Sequence, residues 1–258
     1  MSKRGQVTIF IIVFVLIIAS IILFFLLKEG ILPDIGGKPE ENPSSFLGVC
    51  LEKKVIENSE IISSQGGYLE NSLNKTFRFA DEKVFTDISY LCYNQNYYSP
   101  CVNQEPMLIS HLKKELGKGI QKNVDGCFDE LTLNLDRRGY VVDATYNGFK
   151  LDFGKNKIII DIDGKIVLTK SGKTTSQENL EVAIPSRFYD LSLVVQEIVS
   201  QEARFCNFEN LGFMVFYPEF NIERFRTGDG TTIYTVQHKE SKEKFKFAVR
   251  GCVIPPGF

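Results

Sequence analysis

The chain has 258 residues, 43% hydrophobic and 24% charged, with 21 Phe, ten Tyr and no Trp. With Lys3 and Arg4 set aside, 28 basic residues stand against 32 acidic ones. That mild acidity argues against nucleic acid as a partner, because phosphate binding needs a basic patch.

The first element is apolar. No charged residue lies between Arg4 and Lys28, and only Thr8 and Ser20 interrupt the run from Val7 to Leu27. A helix of that length spans roughly 30 Å, the thickness of a bilayer's hydrocarbon core. A cleaved secretory signal has a shorter apolar stretch, about 7–15 residues, and a small-residue exit. This run ends in Phe24-Phe25-Leu26-Leu27-Lys28-Glu29 without one. Residues 6–28 are therefore expected to be a lasting transmembrane helix, with the lipid bilayer as the partner of residues 7–27. Lys3, Arg4 and the terminal amine precede the helix, while Lys28 and Glu29 cancel after it. The positive-inside rule then keeps residues 1–5 in the cytoplasm and exports the bulk of the chain.

Lys3-Arg4-Gly5-Gln6 ahead of this helix resembles the class III signal of type IV pilin-like proteins. The Gly-Gln-Val-Thr-Ile-Phe opening is similar to surface proteins of small-genome archaea. The resemblance covers about the first 27 residues. It implies cleavage between Gly5 and Gln6 by a prepilin peptidase, with the helix kept on the mature protein. Phe10 stands where many pilins carry Glu, at the fifth mature position. A plain anchor whose basic flank contains Gly explains the same residues, and both readings stay open.

Residues 30–43, "GILPDIGGKPEENP", hold three prolines and three glycines. That composition ends the helix and reads as a juxtamembrane linker, taken as residues 29–45, reaching roughly 20–45 Å. Residues 46–258 then form the exported part, large enough for one domain or two subdomains. A helix is expected from Phe46 to Ser64, capped by Ser44-Ser45, with Phe46, Val49, Cys50, Val55, Ile56, Ile61 and Ile62 on its apolar face. Gly66-Gly67 stops it. Strand-like runs follow at Tyr68-Leu69, Thr76 to Ala80 and Val84 to Tyr93. A second helix begins near Pro106, with Met107, Leu108, Leu112, Leu116 and Ile120 as its stripe.

A β-rich region comes next. "LTLNLD", "YVVDATYN", "FKLDFG", "KIIIDID", "KIVLTK" and "LEVAIP" read as six strands. Arg138-Gly139, Asn147-Gly148, Lys155-Asn156 and Asp163-Gly164 read as turns, Asn-Gly and Asp-Gly being strong hairpin signals. A third helix spans about Ser186 to Phe205, on a face of Phe188, Leu191, Val194, Val195, Ile198 and Phe205. "GFMVFYPEF" reads as a strand, and the remainder to "KFKFAVRGCVI" as a hairpin. The fold class is α+β: antiparallel hairpins with about three helices.

All six cysteines lie beyond the apolar run. An even count in an exported domain reads as three disulfides, among 15 possible pairings. Cys92 and Cys101 bracket a short loop; Cys206 ends a helix and Cys252 ends the last strand; Cys50 and Cys127 remain, one on each of the first two helices. No C-x-x-C occurs and His111 and His238 are the only histidines, so no metal site is expected.

Catalytic signatures are missing. Ser171-Gly172-Lys173-Thr174 has Val167 where a P-loop needs its first Gly, and reads as a turn. Asp152, Asp161 and Asp163 do not fit a calcium loop and read as the outer face of a hairpin. His111 reads as a helix-surface residue. Neither G-x-S-x-G nor H-E-x-x-H occurs. The unusual stretch is Ser89 to Glu105, "SYLCYNQNYYSPCVNQE". Tyr and Asn give rigid amphipathic area with adaptable hydrogen bonds, as binding loops do, and a disulfide holds the loop ordered before contact. Tyr90, Tyr93, Asn94, Asn96, Tyr97 and Tyr98 are the candidate binding residues, with Gln65-Gly66-Gly67-Tyr68 beside them. The expected role is non-catalytic: interaction or adhesion by a single-pass, extracytoplasmic protein with a protein or glycan partner and no cofactor. A pilin-like filament subunit and a cell-surface hydrolase are the alternatives.

Overall fold

The computed structural model describes residues 42–253 except residue 81, together with Phe14, Ile17 and Ile18. The processing candidates Gly5 and Gln6, the rest of the apolar run and the linker up to residue 41 lie outside the described residues. Among the described residues no helix is long and apolar enough to cross a membrane.

The first helix, α1, covers Pro43–Ser64. It starts at a proline, whose missing N–H costs nothing in a first turn. Its buried stripe is Leu47, Leu51, Val55, Ser59 and Ile62, one side at helical spacing. Val49 and Ile61, expected inside, are exposed; they sit away from that stripe. Gly66 and Gly67 end the helix at positive φ (76° and 94°). A Cβ on Gly66 would meet the Ser89 carbonyl oxygen at 2.7 Å, so the turn must be glycine to lie against the next strand. Tyr68-Leu69 belongs to this connection and forms no strand.

Strands β1 (Asn74–Phe77), β2 (Thr86–Tyr93) and β3 (Val102–Asn103) precede the long helix α2, Leu108–Arg137. Here one expectation fails. "LTLNLD" is not a strand but the last turns of α2. Leu131, Leu133 and Leu135 alternate as a strand would, yet Leu131 and Leu135 are buried one helical turn apart and Leu133 faces out. They continue the stripe of Leu108, Leu112, Leu116, Ile120, Val124 and Phe128. The longer period wins because it extends a helix already formed, and adding a turn needs no new nucleus. Arg138-Gly139 closes this helix, with Gly139 at φ 80°.

The next five predicted strands merge into three: β4 (Val141–Gly154), β5 (Lys157–Lys170) and β6 (Lys173–Pro185), in the order β4-β5-β6, all antiparallel. Only Lys155-Asn156 and Ser171-Gly172 are hairpin turns. Asn147-Gly148 and Asp163-Gly164 sit inside continuous strands at shifts of register. They bend the ribbon as bulges do, where turn chemistry serves an extra residue instead of a reversal. Gly164 is required there: a Cβ would approach the Thr145 carbonyl oxygen at 2.8 Å and the Phe128 ring at 3.5 Å.

Helix α3 (Phe188–Phe205) buries Phe188, Leu191, Val194, Val195 and Ile198 as expected, but Phe205 is exposed in its last turn. Glu243 accepts from the Ser186 hydroxyl and the Arg187 amide, satisfying donors at the start of α3. "GFMVFYPEF" is corrected too: its first part lies in a short helix, α4 (Asn210–Phe216), whose N-cap Glu209 accepts from the Leu211 and Gly212 amides. Strands β7 (Phe220–Arg226), β8 (Thr232–His238) and β9 (Lys244–Arg250) follow, the last elements among the described residues.

The second sheet has the order β1-β2-β9-β8-β7, with β3 also on β2. It is mixed, because β2 and β9 run parallel; hairpin signals alone do not reveal a pairing that spans the whole intervening chain. Over residues 42–253 the architecture is thus α+β, with four helices and two sheets among the described residues. Helix α1 packs against both β6 and β9, and α3 against β8, β9 and β5. One continuous core therefore joins both sheets through the helices. On the other face of the mixed sheet, Ile88, Tyr90, Ile233 and Ala248 form a small second cluster with Leu73, Phe77, Phe79 and Tyr93.

Three disulfides join Cys50 to Cys127, Cys92 to Cys101 and Cys206 to Cys252, the pairs read from the sequence, with Cα separations of 6.0, 5.2 and 5.8 Å. They suit a domain folded in an oxidising, extracytoplasmic compartment.

Candidate functional site

The tyrosine-rich loop lies where the C-terminal ends of β2, β7 and β9 meet the start of β8. An open cleft of about 570 Å³ lies there, within the ~300–1,000 Å³ usual for ligand sites. Tyr90 and Tyr93 enter from β2, Gln95 and Tyr97 from the disulfide-closed loop, Arg226 to Gly230 from the β7–β8 turn, and Arg250 from the end of β9.

The chain holds this cleft with backbone contacts. The Asn94 amide donates to the Arg250 carbonyl at 2.7 Å, and the Cys252 amide donates to the Ser99 carbonyl at 2.9 Å. The Arg250 guanidinium donates back to the carbonyls of Asn94 (2.6 Å) and Gln95 (2.9 Å). Its carbon lies 5.9 Å from the Tyr93 ring centre and 5.5 Å from that of Tyr97, close enough for cation–π attraction. Gly251 permits the approach: a Cβ there would lie 2.6 Å from the Cys101 amide nitrogen.

Tyr90 forms the wall. It is 6% exposed and its hydroxyl hydrogen-bonds with the Thr231 hydroxyl at 2.8 Å. Burial pushes its pKa up, so it remains a neutral phenol. Burial pushes the Asp229 carboxyl up as well, but hydrogen bonds from Lys75 (2.6 Å), the Thr227 hydroxyl and the Thr231 amide outweigh it. Asp229 is held well below the ordinary carboxylate range, ionised and paired. The Arg226 guanidinium has no hydrogen bond or ion pair with any other described residue.

The six candidate residues therefore divide. Tyr90, Tyr93 and Tyr97 line the cleft. Asn94 fixes the loop from within, because its side chain donates to the Pro100 carbonyl and accepts from the Asn96 amide. Asn96 and Tyr98 are exposed outside the lining. Gln65 to Tyr68 lie elsewhere. Gly67 offers its carbonyl to His111 Nε2 at 2.9 Å, and Tyr68 donates to Glu105 at 2.6 Å. His111 is thus a half-buried bracket between α2 and the α1 turn rather than a free surface residue.

Arg226, Asp229 and Arg250 are not singled out by sequence reasoning. Their local signal is weak: "TGDGT" reads as a hairpin turn and Arg250 merely precedes Gly251-Cys252. Only the parallel β2–β9 pairing brings Arg250 beside Tyr93.

A second hollow of about 630 Å³ lies at the opposite ends of β7 and β8, lined by Leu193, Val194, Phe213, Tyr217, Phe220 and His238 among others. The His238 Nδ1 accepts from the Ser241 amide at 3.2 Å. Asp161 and Asp163 lie on the exposed face of β5, and Asp152 binds Lys113 at 2.6 Å. Among the described residues no three His, Cys, Asp or Glu side chains gather as metal ligands. Compared with known proteins, the chain matches no family model and no curated protein, so its placement rests on the fold and the cleft themselves.

Proposed function

We propose that the chain is a membrane-tethered, extracytoplasmic binding protein with a non-catalytic interaction or adhesion role, and that the tyrosine–arginine cleft is its contact face. The apolar run 7–27 supplies the tether and the N-terminus stays cytoplasmic. The observation that carries the reading is the convergence of Tyr93 and Tyr97 on Arg250, on a loop closed by Cys92–Cys101 and bonded along both edges to the end of β9. A loop ordered in advance loses little entropy on contact. Tyrosine faces beside cationic groups supply the area and directed hydrogen bonds that recognition needs.

The test is binding of the full chain, in detergent or nanodiscs, to glycan and peptide arrays, with Tyr97→Ala alongside. Binding that falls at least tenfold in the variant supports the reading. Turnover of any array component replaces it with a surface hydrolase. The resemblance of the first 27 residues to pilin-like signals keeps filament assembly as a second reading. A mature N-terminus at Gln6, together with filaments that vanish on deleting the gene, decides for that one.

A further inference from the structure

Resting on the cleft as the binding site, we propose that its ligand is an acidic saccharide, a sugar ring carrying a carboxylate. Tyr97 receives the apolar face of the ring and Arg226 receives the carboxylate.

Charge is the first ground. The domain is acidic as a whole, yet the cleft is not. Asp229 is its one carboxylate among the described lining residues, and Lys75 already pairs with it. Arg250 spends hydrogen bonds on two backbone carbonyls but faces no acid among the described residues. Arg226 ends β7 with its guanidinium unmatched by any described residue. Two arginines thus stand in the lining with no carboxylate partner among the described residues, and a guanidinium fork binds carboxylates in two-point geometry.

Shape and chemistry are the second. Tyr97 is 50% exposed, with its ring beside Arg250 and its remaining surface open. A pyranose has an apolar C–H face and a rim of hydroxyls, and a tyrosine has an apolar face and a polar edge. No hydrogen bond involves the hydroxyls of Tyr93 and Tyr97 or the side-chain amide of Gln95 among the described residues; they provide donors and acceptors for that rim.

Topology is the third. The cleft is lined from strand ends and takes only the terminal residues Asn74 and Arg226 from the edge strands β1 and β7, so an extended peptide within it meets no long edge to pair with as an added strand. An acidic peptide is therefore the disfavoured occupant.

The experiment titrates the full-length protein in nanodiscs with trigalacturonate, its fully methyl-esterified form and a free galacturonate monomer. Ester and acid share rings and hydroxyls and differ chiefly in charge. The acid is expected to bind at least tenfold more tightly than the ester. Arg226→Gln brings the acid down to the ester's affinity and leaves the ester unchanged. Tyr97→Ala weakens both. Monomer binding that is weaker than the trimer's but still lost in Arg226→Gln supports recognition of a single acidic ring. Arg226 is an exposed strand-terminal residue, so its variant keeps its fold, verified by an unchanged melting curve. Equal affinity for acid and ester, or indifference to Arg226→Gln, overturns the acidic-saccharide assignment while the cleft remains a binding site. Peptide binding lost in Tyr97→Ala, with no saccharide bound, does the same. Saccharide binding indifferent to Tyr97→Ala, or no binding either to these probes or to any component of the glycan and peptide arrays, overturns both.

Discussion

The three-stranded ribbon β4–β6 and the mixed sheet β1-β2-β9-β8-β7 are built by different means. Each ribbon strand finds its partner across a two-residue turn, and β5 alternates buried Ile158, Ile160, Ile162, Ile166 and Leu168 with outward residues. The first seven residues of β6, Lys173–Asn179, are all exposed. The mixed sheet instead closes by pairing β2 with β9 across most of the chain. Its central strands are buried nearly throughout. Local pairing gives a ribbon that tolerates exposure; distant pairing gives a rigid platform, and the cleft lies on the platform.

The largest expected contrast is in the core. Phe247, fully buried, stacks on Tyr234 with ring centres 5.3 Å apart. Phe247→Ala should cost about 3–5 kcal/mol in denaturant unfolding, and Leu168→Ala near the ribbon's free end about 2 kcal/mol. A reversed ranking would make the ribbon the more critical element.

The disulfides carry the same contrast. Removing Cys50–Cys127, which closes a 77-residue separation, should cost about 4 kcal/mol, against about 2.5 kcal/mol for Cys92–Cys101 at a separation of nine. Binding should rank the other way, since the smaller ring orders the cleft loop. Melting and array binding of the two double alanine variants check both halves.

Glycines give a smaller effect with the same sense. Gly251→Ala pushes a Cβ into Cys101 backbone and should cost about 1–3 kcal/mol together with binding. Gly172→Ala, at φ 77° in the ribbon turn but in open space, should cost only the left-handed penalty of about 1–2 kcal/mol and leave binding intact. Thermal melts and array binding of the two variants compare them directly.

The smallest effect is the pH dependence of Asp229. Its folded pKa lies below the unfolded one, so its pairing with Lys75 contributes in full above the ordinary carboxylate range, about pH 4. That contribution is lost as pH falls through the depressed folded value. The pair is partly exposed, so no more than about 1 kcal/mol is at stake. Asp229→Asn should flatten the acid limb of the stability profile below pH 4 and leave neutral stability lower by that amount. An unchanged limb would remove the pair from the cleft's support.

Much of the fold is written locally. Helix α3 follows from Phe188, Leu191, Val194, Val195 and Ile198 at helical spacing, and the Gly66-Gly67 stop from its composition, because each depends on neighbours one turn away. The places where sequence and structure part have a common cause. Leu131, Leu133 and Leu135 fit two periods, and the helix already running up to them, with Leu131 and Leu135 packed in the core, selects the longer one. Asn147-Gly148 and Asp163-Gly164 fit turn or bulge, and only the register of the partner strand chooses.

The cleft divides in the same way. Tyr90, Tyr93 and Tyr97 stand out because aromatic residues gathered around two cysteines are visible in one window of sequence. Arg226, Asp229 and Arg250 do not, being ordinary residues until the chain folds. Helices α1 and α3, the first turns of α2, the cysteine ring and the candidate loop were legible in the order of the residues, since interactions within a few turns of backbone set them. The parallel β2–β9 pairing, and with it the arginines beside the tyrosines, was not. Contacts across more than 150 residues form only when both strands bury the core they share, so folding of the whole domain places them.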